Sequence, residues 1–220
     1  MKHIFKRLLR KFGYKIIRYE SLPYNKRILE IYELFNDLIL ILKENSVEGI
    51  FVECGYGYGR SFSVFSHFAV KEKRKIYGFD SFIGFPNVSE IDHSKRNPRN
   101  GEWSVRSLSE ATKCIENLGI FENKDDFKLI QLIFERNIKN PIPNQEIAFL
   151  HIDLDLYVGY KFALEMFWDQ VKIGGIVLFD EYELVEWPGA TVAINEFLEN
   201  RNIDRTEIKK LRGKHYIIKR

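Results

Sequence analysis

Cysteine is scarce in this chain. Cys54 and Cys114 are its only two in 220 residues, and they form no CxxC pair. That excludes a disulfide-stapled scaffold and a cysteine zinc site, and it fits a cytoplasmic protein with free thiols. Long apolar runs are missing too: none reaches the roughly 20 residues that a membrane-spanning helix needs. Basic residues interrupt the early apolar positions, so no secretory leader is expected. Internal repeats and low-complexity tracts are absent. Strong charge of one sign is also lacking. The net charge is only +3, and seven Lys/Arg against one acid fall within residues 1–20. The remainder holds 27 basic and 30 acidic residues, a net of −3. A mildly acidic domain, 23–220, thus follows a basic arm, 1–22, and nothing in it suits nucleic acid.

What is present reads as alternating strands and helices. In the arm, Ile4, Leu8 and Phe12 share one helical stripe, with the bases mostly elsewhere. Such a basic amphipathic helix suits peripheral contact with an anionic membrane through residues 1–20. It equally suits packing on its own domain or on a second subunit of a homo-oligomer. After Pro23, Ile28, Ile31, Phe35, Leu38, Ile39 and Leu42 predict a helix from about Asn25 to Glu44. It covers one sheet face or serves as a lid.

A short buried strand, Gly49 to Val52, then runs into Glu53 and the loop Cys54-Gly55-Tyr56-Gly57-Tyr58-Gly59, with a helix from Arg60. Strand, glycine loop and helix N-terminus form a nucleotide-binding turn, because glycine lets backbone approach a ligand closely. The spacing is G-x-G-x-G, which is not the NAD fingerprint. Glu53 ahead of the loop would repel a pyrophosphate and suits a ligand ammonium. The second strand, Lys75 to Phe79, ends at Asp80, placed either to accept ribose hydroxyls or to act as a turn acid. Residues 81–106 form a long loop with a basic cluster, read as a substrate cover, and His93 lies in it. Ser107 and Glu110 form a capping box for a helix that Gly119 ends. A third strand covers Phe127 to Ile133.

The centre of the chain is Glu146 to Tyr182. One apolar run, Ile147 to Leu150, leads to Asp153 and Asp155. A helix from Tyr157 to Val171 follows, and Gly174-Gly175 turns the chain into a second run, Ile176 to Phe179, ending on Asp180 and Glu181. A right-handed crossover makes these strands parallel neighbours, so both acid clusters meet at one sheet edge. Carboxylates gathered there call for a compensating charge, for which a hard divalent cation is the obvious candidate; the alternative is strand ends that finish in solvated acids. A helix from about Thr191 to Glu199 and a hairpin around Arg212-Gly213-Lys214 close the chain.

These pieces resemble the class I S-adenosylmethionine-dependent methyltransferases, and more closely the macrocin O-methyltransferase family, which methylates sugar hydroxyls. The resemblance rests on VECGYGYGRS (52–61), FDSFIGFP (79–86), WSV (103–105), HIDLDLY (151–157) and GGIVLFDEYELVEWPGATVAINEFL (174–198). It implies a Rossmann-like, doubly wound α/β fold with a mostly parallel seven-stranded sheet closed by a C-terminal antiparallel hairpin. It implies S-adenosyl-L-methionine as cofactor, with Glu53, Gly55, Gly57 and Gly59 at its methionine part, Asp80 at the ribose, and Ser81 and Phe82 flanking the adenosine. Asp153, Asp180 and Glu181 would hold Mg²⁺ and, through it, a sugar or other small diol. The family usually has a second aspartate where Glu181 stands. The general base would be Asp155 or His93, unless metal activation suffices. A catechol-like diol as acceptor, and an NAD-dependent sugar oxidoreductase, are the alternative readings.

Overall fold

Helical spacing of apolar residues builds the first element. Leu34, Phe35, Leu38, Ile39 and Leu42 form the buried stripe of helix α1 (Lys26–Glu44). The computed structural model describes residues 26–220, so the basic arm lies outside the described residues. Among the described residues no helix is long and apolar enough to cross a membrane.

Five strands run parallel: β1 (Ile50–Cys54), β2 (Ile76–Asp80), β3 (Phe127–Gln131), β4 (Ile147–Ile152) and β5 (Val171–Phe179). β6 (Lys209–Leu211) and β7 (Lys214–Ile218) form the closing hairpin, and β7 pairs antiparallel with β5. The order is β3-β2-β1-β4-β5-β7-β6. The doubly wound sheet closed by an antiparallel hairpin is therefore as expected. β1 and β4 are fully buried along their lengths, as parallel strands covered on both faces must be.

Each face has its own core. α1 and α2 (Arg60–Lys71) cover one, where Phe35, Phe51, Phe65 and Phe149 meet. α4 (Tyr157–Phe167) and α5 (Pro188–Asn200) cover the other, over Phe79, Phe167 and Trp168. The α3 helix (Leu108–Glu116) starts on the expected capping box: Glu110 N–H donates to Ser107 Oγ, and Ser107 N–H donates back to Glu110 Oε2 at 2.9 Å.

The boundaries that differ most from the sequence reading flank β5. Gly174 and Gly175 do not turn the chain into a strand; they lie inside β5, which begins at Val171. The register against β4 slips there, so Ile147 faces Val171 while Phe149 faces Ile176. Gly174 takes φ +80, and a Cβ on Gly175 would sit 2.8 Å from Lys172 O, so the bulge requires glycine. α4 accordingly ends at Phe167, and a 3-10 turn fills 168–170. α5 begins at Pro188, where the missing N–H costs nothing at a first helical turn.

Residues 81–106 form one 3-10 turn, Glu90–Asp92, and otherwise irregular chain. The loop is nevertheless fastened. Ser94 Oγ donates to Glu186 O at 2.8 Å. Phe85 meets Trp187 edge-on. The Asp92 carboxylate, 1% exposed, accepts Tyr157 N–H at 2.7 Å.

Candidate active site

Strand order reverses between β1 and β4, and at their carboxyl ends opens a cavity of about 1130 Å³. This is the switch point where open α/β sheets place ligands. The glycine loop supplies one wall. Gly55 N–H donates to Phe79 O at 2.7 Å, and a Cβ on Gly55 would lie 1.7 Å from Asp153 O. The loop can therefore cross the head of β4 only without a side chain there. Gly57, at φ +46, has open space where its Cβ would be, and Gly55 and Gly57 both line the cavity.

Asp80 lines the cavity beside them and braces the loop. Its Oδ2 accepts the N–H groups of Tyr56 (2.8 Å) and Gly57 (3.0 Å), and Oδ1 accepts that of Phe82 (2.7 Å). A carboxylate has about four acceptor positions, so capacity for a ligand remains. Ser81 lines the same wall. Three expected cofactor residues are not on it. Phe82, buried at φ 53, packs toward Tyr56. Gly59, at φ 73, precedes α2 with its missing Cβ against the Tyr56 ring. Glu53 is fully buried behind the loop, where its carboxylate takes the Ser61 hydroxyl at 2.9 Å and lies 3.0 Å from His151 Nδ1.

The second wall is acidic. Asp153, Asp155, Asp180 and Glu181 all line the cavity. They fall into two groups with one ligand-type atom per residue within 4.8 Å: His151, Asp153 and Asp180, and Asp153, Asp155 and Glu181. The expected set Asp153, Asp180 and Glu181 is thus split, with Asp153 common to both groups. Asp180 turns toward His151 Nε2 (3.8 Å) and Lys214 Nζ (2.6 Å). Glu181 turns the other way, taking the Tyr160 hydroxyl at 2.5 Å. Asp155 holds φ 60, a left-handed conformation uncommon outside glycine that collects at functional positions.

Mutual repulsion shows in the proton affinities. Burial and the charge of Asp180 push Asp153 up to about 7. Burial, then Asp153 and Asp180, also push Asp155 and Glu181 well above the carboxylate range. Burial would raise Asp180 as well, but His151 and Lys214 hold it well below its ordinary value. Burial opposes charge on His151, yet the Asp180 and Glu53 carboxylates push it up to about 10. This is a pocket short of positive charge.

His93 is exposed and is not on the cavity wall. Asp155 remains the expected base within the cavity. Sequence reasoning missed His151, Lys214, Tyr160 and the aromatic wall of Phe85, Trp103 and Trp187. His151 carried one signal: it stands two residues before Asp153, hence on the same face of an extended segment. Over that wall Arg96 stacks 4.3 Å from the Trp187 ring and pairs with Glu102 at 2.5 Å.

Comparison with known proteins gives the family and the fold. The family profile described as Macrocin-O-methyltransferase (TylF) matches residues 25–213. A curated relative from Streptomyces olivaceus, 8-demethyl-8-(2,3-dimethoxy-alpha-L-rhamnosyl)-tetracenomycin-C 4'-O-methyltransferase, is 26% identical over 149 residues, 64% of this chain. The match spans 55% of that relative, about half its length. Among solved structures, the calicheamicin methyltransferase CalS11 has a TM-score of 0.72 at 23% identity, covering 99% of this chain and 91% of its own. The O-methyltransferase NovP has 0.70 at 23%, covering 88% and 79%. Those two likenesses establish the fold. The profile spans the glycine loop, Asp80, both acid-bearing strand ends and the first strand of the closing hairpin, and on that match the chain belongs to the macrocin O-methyltransferase (TylF) family.

Proposed function

We propose that this protein is an S-adenosylmethionine-dependent O-methyltransferase that methylates a sugar hydroxyl with help from a divalent cation such as Mg²⁺. The observation that carries the reading is one cavity with a glycine loop and Asp80 on one wall and four acids on the other. Its chemistry fits both groups. Gly57 offers backbone without a side chain to a close ligand, and Asp80 keeps free acceptor capacity for ribose hydroxyls. Four acids gather on the second wall, with Lys214 and His151 as the basic groups beside them.

When bound, S-adenosylmethionine supplies a methyl group already activated on a sulfonium. A divalent cation supplies Lewis acidity, which lowers the pKa of a poorly nucleophilic hydroxyl. The chain does the rest. Gly55, Gly57, Asp80 and Ser81 hold the cofactor, and Glu53 works from behind the wall by fixing Ser61 and His151. Asp153, common to both ligand groups, would hold the cation, with Asp180 in one group and Glu181 in the other. Asp155, made more basic by burial and by its acidic neighbours, accepts the hydroxyl proton. The loop 81–106 excludes water, and the aromatic wall of Phe85, Trp103 and Trp187 presents an apolar face to the sugar ring. That face also suits a flat catechol-like diol.

The test is incubation with S-adenosylmethionine, Mg²⁺ and a panel of nucleotide sugars, free glycosides and a catechol, read by mass for the gain of one methyl. A methylated sugar, lost with EDTA and in Asp153→Asn, is expected. Methylation of the catechol alone would move the acceptor class. Full turnover in chelator would refute the role of the cation.

A further inference from the structure

We infer that His151 is a nitrogen ligand of the cation site, so that the site takes a borderline first-row ion such as Fe²⁺, Co²⁺ or Mn²⁺ in preference to Mg²⁺; this rests on the cation-assisted reading above. His151 is 2% exposed and its two ring nitrogens have different surroundings. Nδ1 lies 3.0 Å from Glu53 Oε2, and Glu53 is itself fixed by the Ser61 hydroxyl at 2.9 Å. Nε2 is buried and has no hydrogen-bond partner. A buried polar atom left in that state calls for an explanation.

Geometry supplies one. Nε2 faces Asp180 Oδ1 at 3.8 Å, too far for a hydrogen bond. It is close enough for both atoms to hold one ion, since ligands about 2.1 Å from a metal lie at most about 4.2 Å apart across it. Asp153 completes the group within 4.8 Å. Lys214 occupies the other Asp180 oxygen at 2.6 Å, so Oδ1 is the one left for a cation. A carboxylate bound to one imidazole nitrogen fixes the tautomer and leaves the other nitrogen for metal, the usual support of a ligating histidine. Glu53 stands in that position.

Donor chemistry then decides the ion. Mg²⁺ prefers oxygen and keeps its waters. A site with one imidazole and two carboxylates favours ions further along the first-row series. The other group, Asp153, Asp155 and Glu181, is the all-oxygen alternative, but Glu181 is engaged by Tyr160.

The experiment is Mn²⁺ titration of the full chain, followed by pulsed electron paramagnetic resonance for nitrogen coupling to the ion. We expect one Mn²⁺ bound with ¹⁴N coupling, replaced by a ¹⁵N pattern in protein grown on ¹⁵N-histidine. The coupling should vanish in His151→Gln and persist in Glu53→Gln with roughly 10–100-fold weaker binding, the range for loss of a supporting partner. Co²⁺ should displace Mn²⁺ at lower concentration than Mg²⁺ does. The isotope comparison uses only the unaltered protein, so a variant that fails to fold does not remove the test. Mn²⁺ bound in an Asp153-dependent way without nitrogen coupling would overturn the role of His151 and leave cation assistance standing. Absence of Mn²⁺ binding would overturn both.

Discussion

Asp92 joins the loop over the cavity to the helix behind the acid wall, and its removal should loosen both. Its carboxylate is almost fully buried. Oδ1 accepts the N–H of Tyr157, the first residue of α4, at 2.7 Å. Oδ2 accepts the Ser89 N–H at 2.9 Å and the Ser89 hydroxyl at 2.6 Å. Leu156, at the cap position of α4, contributes no side-chain cap of its own. A residue 65 positions upstream therefore caps this helix with a full negative charge. A hydrogen bond to a charged group contributes about 1.5–3 kcal/mol. Half-buried Ser89 can turn to water, so the three bonds do not add. We expect Asp92→Ala to cost about 3 kcal/mol, a little above one such bond. For a domain of this size that lowers Tm by roughly 6–12 °C. Asp92→Asn should recover less than half of this, because its amide nitrogen or its oxygen must face the wrong partner. A Cβ on Gly189 would fall 1.9 Å from Asp92 Oδ1. Gly189→Ala therefore attacks the same junction, and the double variant should lose less than the sum. Thermal unfolding by circular dichroism measures the loss, and limited proteolysis within 81–106 reports the freed loop. A loss below about 1 kcal/mol with an unchanged digestion pattern would refute the cap, since that is no more than an ordinary exposed cap contributes.

Two further predictions concern the cavity itself. Asp80→Ala removes the brace from Tyr56 and Gly57 and one acceptor for the cofactor, so S-adenosylhomocysteine should bind about 10–150-fold more weakly by calorimetry, the equivalent of about 1.5–3 kcal/mol; an unchanged Kd would take Asp80 out of the site. In EDTA the protein should be more stable at pH 5.5 than at pH 8. Asp153, Asp155 and Glu181 all have folded pKa values above their unfolded ones, so the folded state binds more protons and stability falls as pH rises through about 7. His151, pushed up to about 10, acts in the same direction above its unfolded value, whereas His215, lowered by burial, opposes below 6.5. A bound Mn²⁺ should remove the slope; stability rising with pH in chelator would contradict the charge imbalance.

Much of this was legible before any coordinates. The crossover between two apolar runs placed Asp153 and Asp180 at one edge, because parallel strands end on the same side. The capping box of α3 needed only the spacing of Ser107 and Glu110. What stayed hidden depended on direction. Adjacent Asp180 and Glu181 look alike in sequence, yet one turns to His151 and Lys214 and the other to Tyr160. His151 sits inside an apolar run and reads as strand filler. Its role is visible only once Glu53, 98 residues away, is seen against one nitrogen. The paired glycines read as a turn because a bulge has the same local signature, and only the β4 register separates the two. A loop histidine such as His93 carries no sequence signal for whether it lines the cavity; it is exposed and off the cavity wall.

The closing hairpin has a consequence for how the molecule is made. Lys214, the first residue of β7, reaches Asp180 at 2.6 Å. On the ribosome it emerges after Asp153, Asp155, Asp180 and Glu181 are all outside. Until then the acid wall has no lysine to balance it, and the antiparallel neighbour of β5 is missing as well. The nascent chain can assemble β1 to β4 with their helices, but its acidic pocket must stay protonated, hydrated or open until the last strand arrives. Sheet closure and charge balance at the site are thus completed by the same short segment, which follows all four acids in the chain.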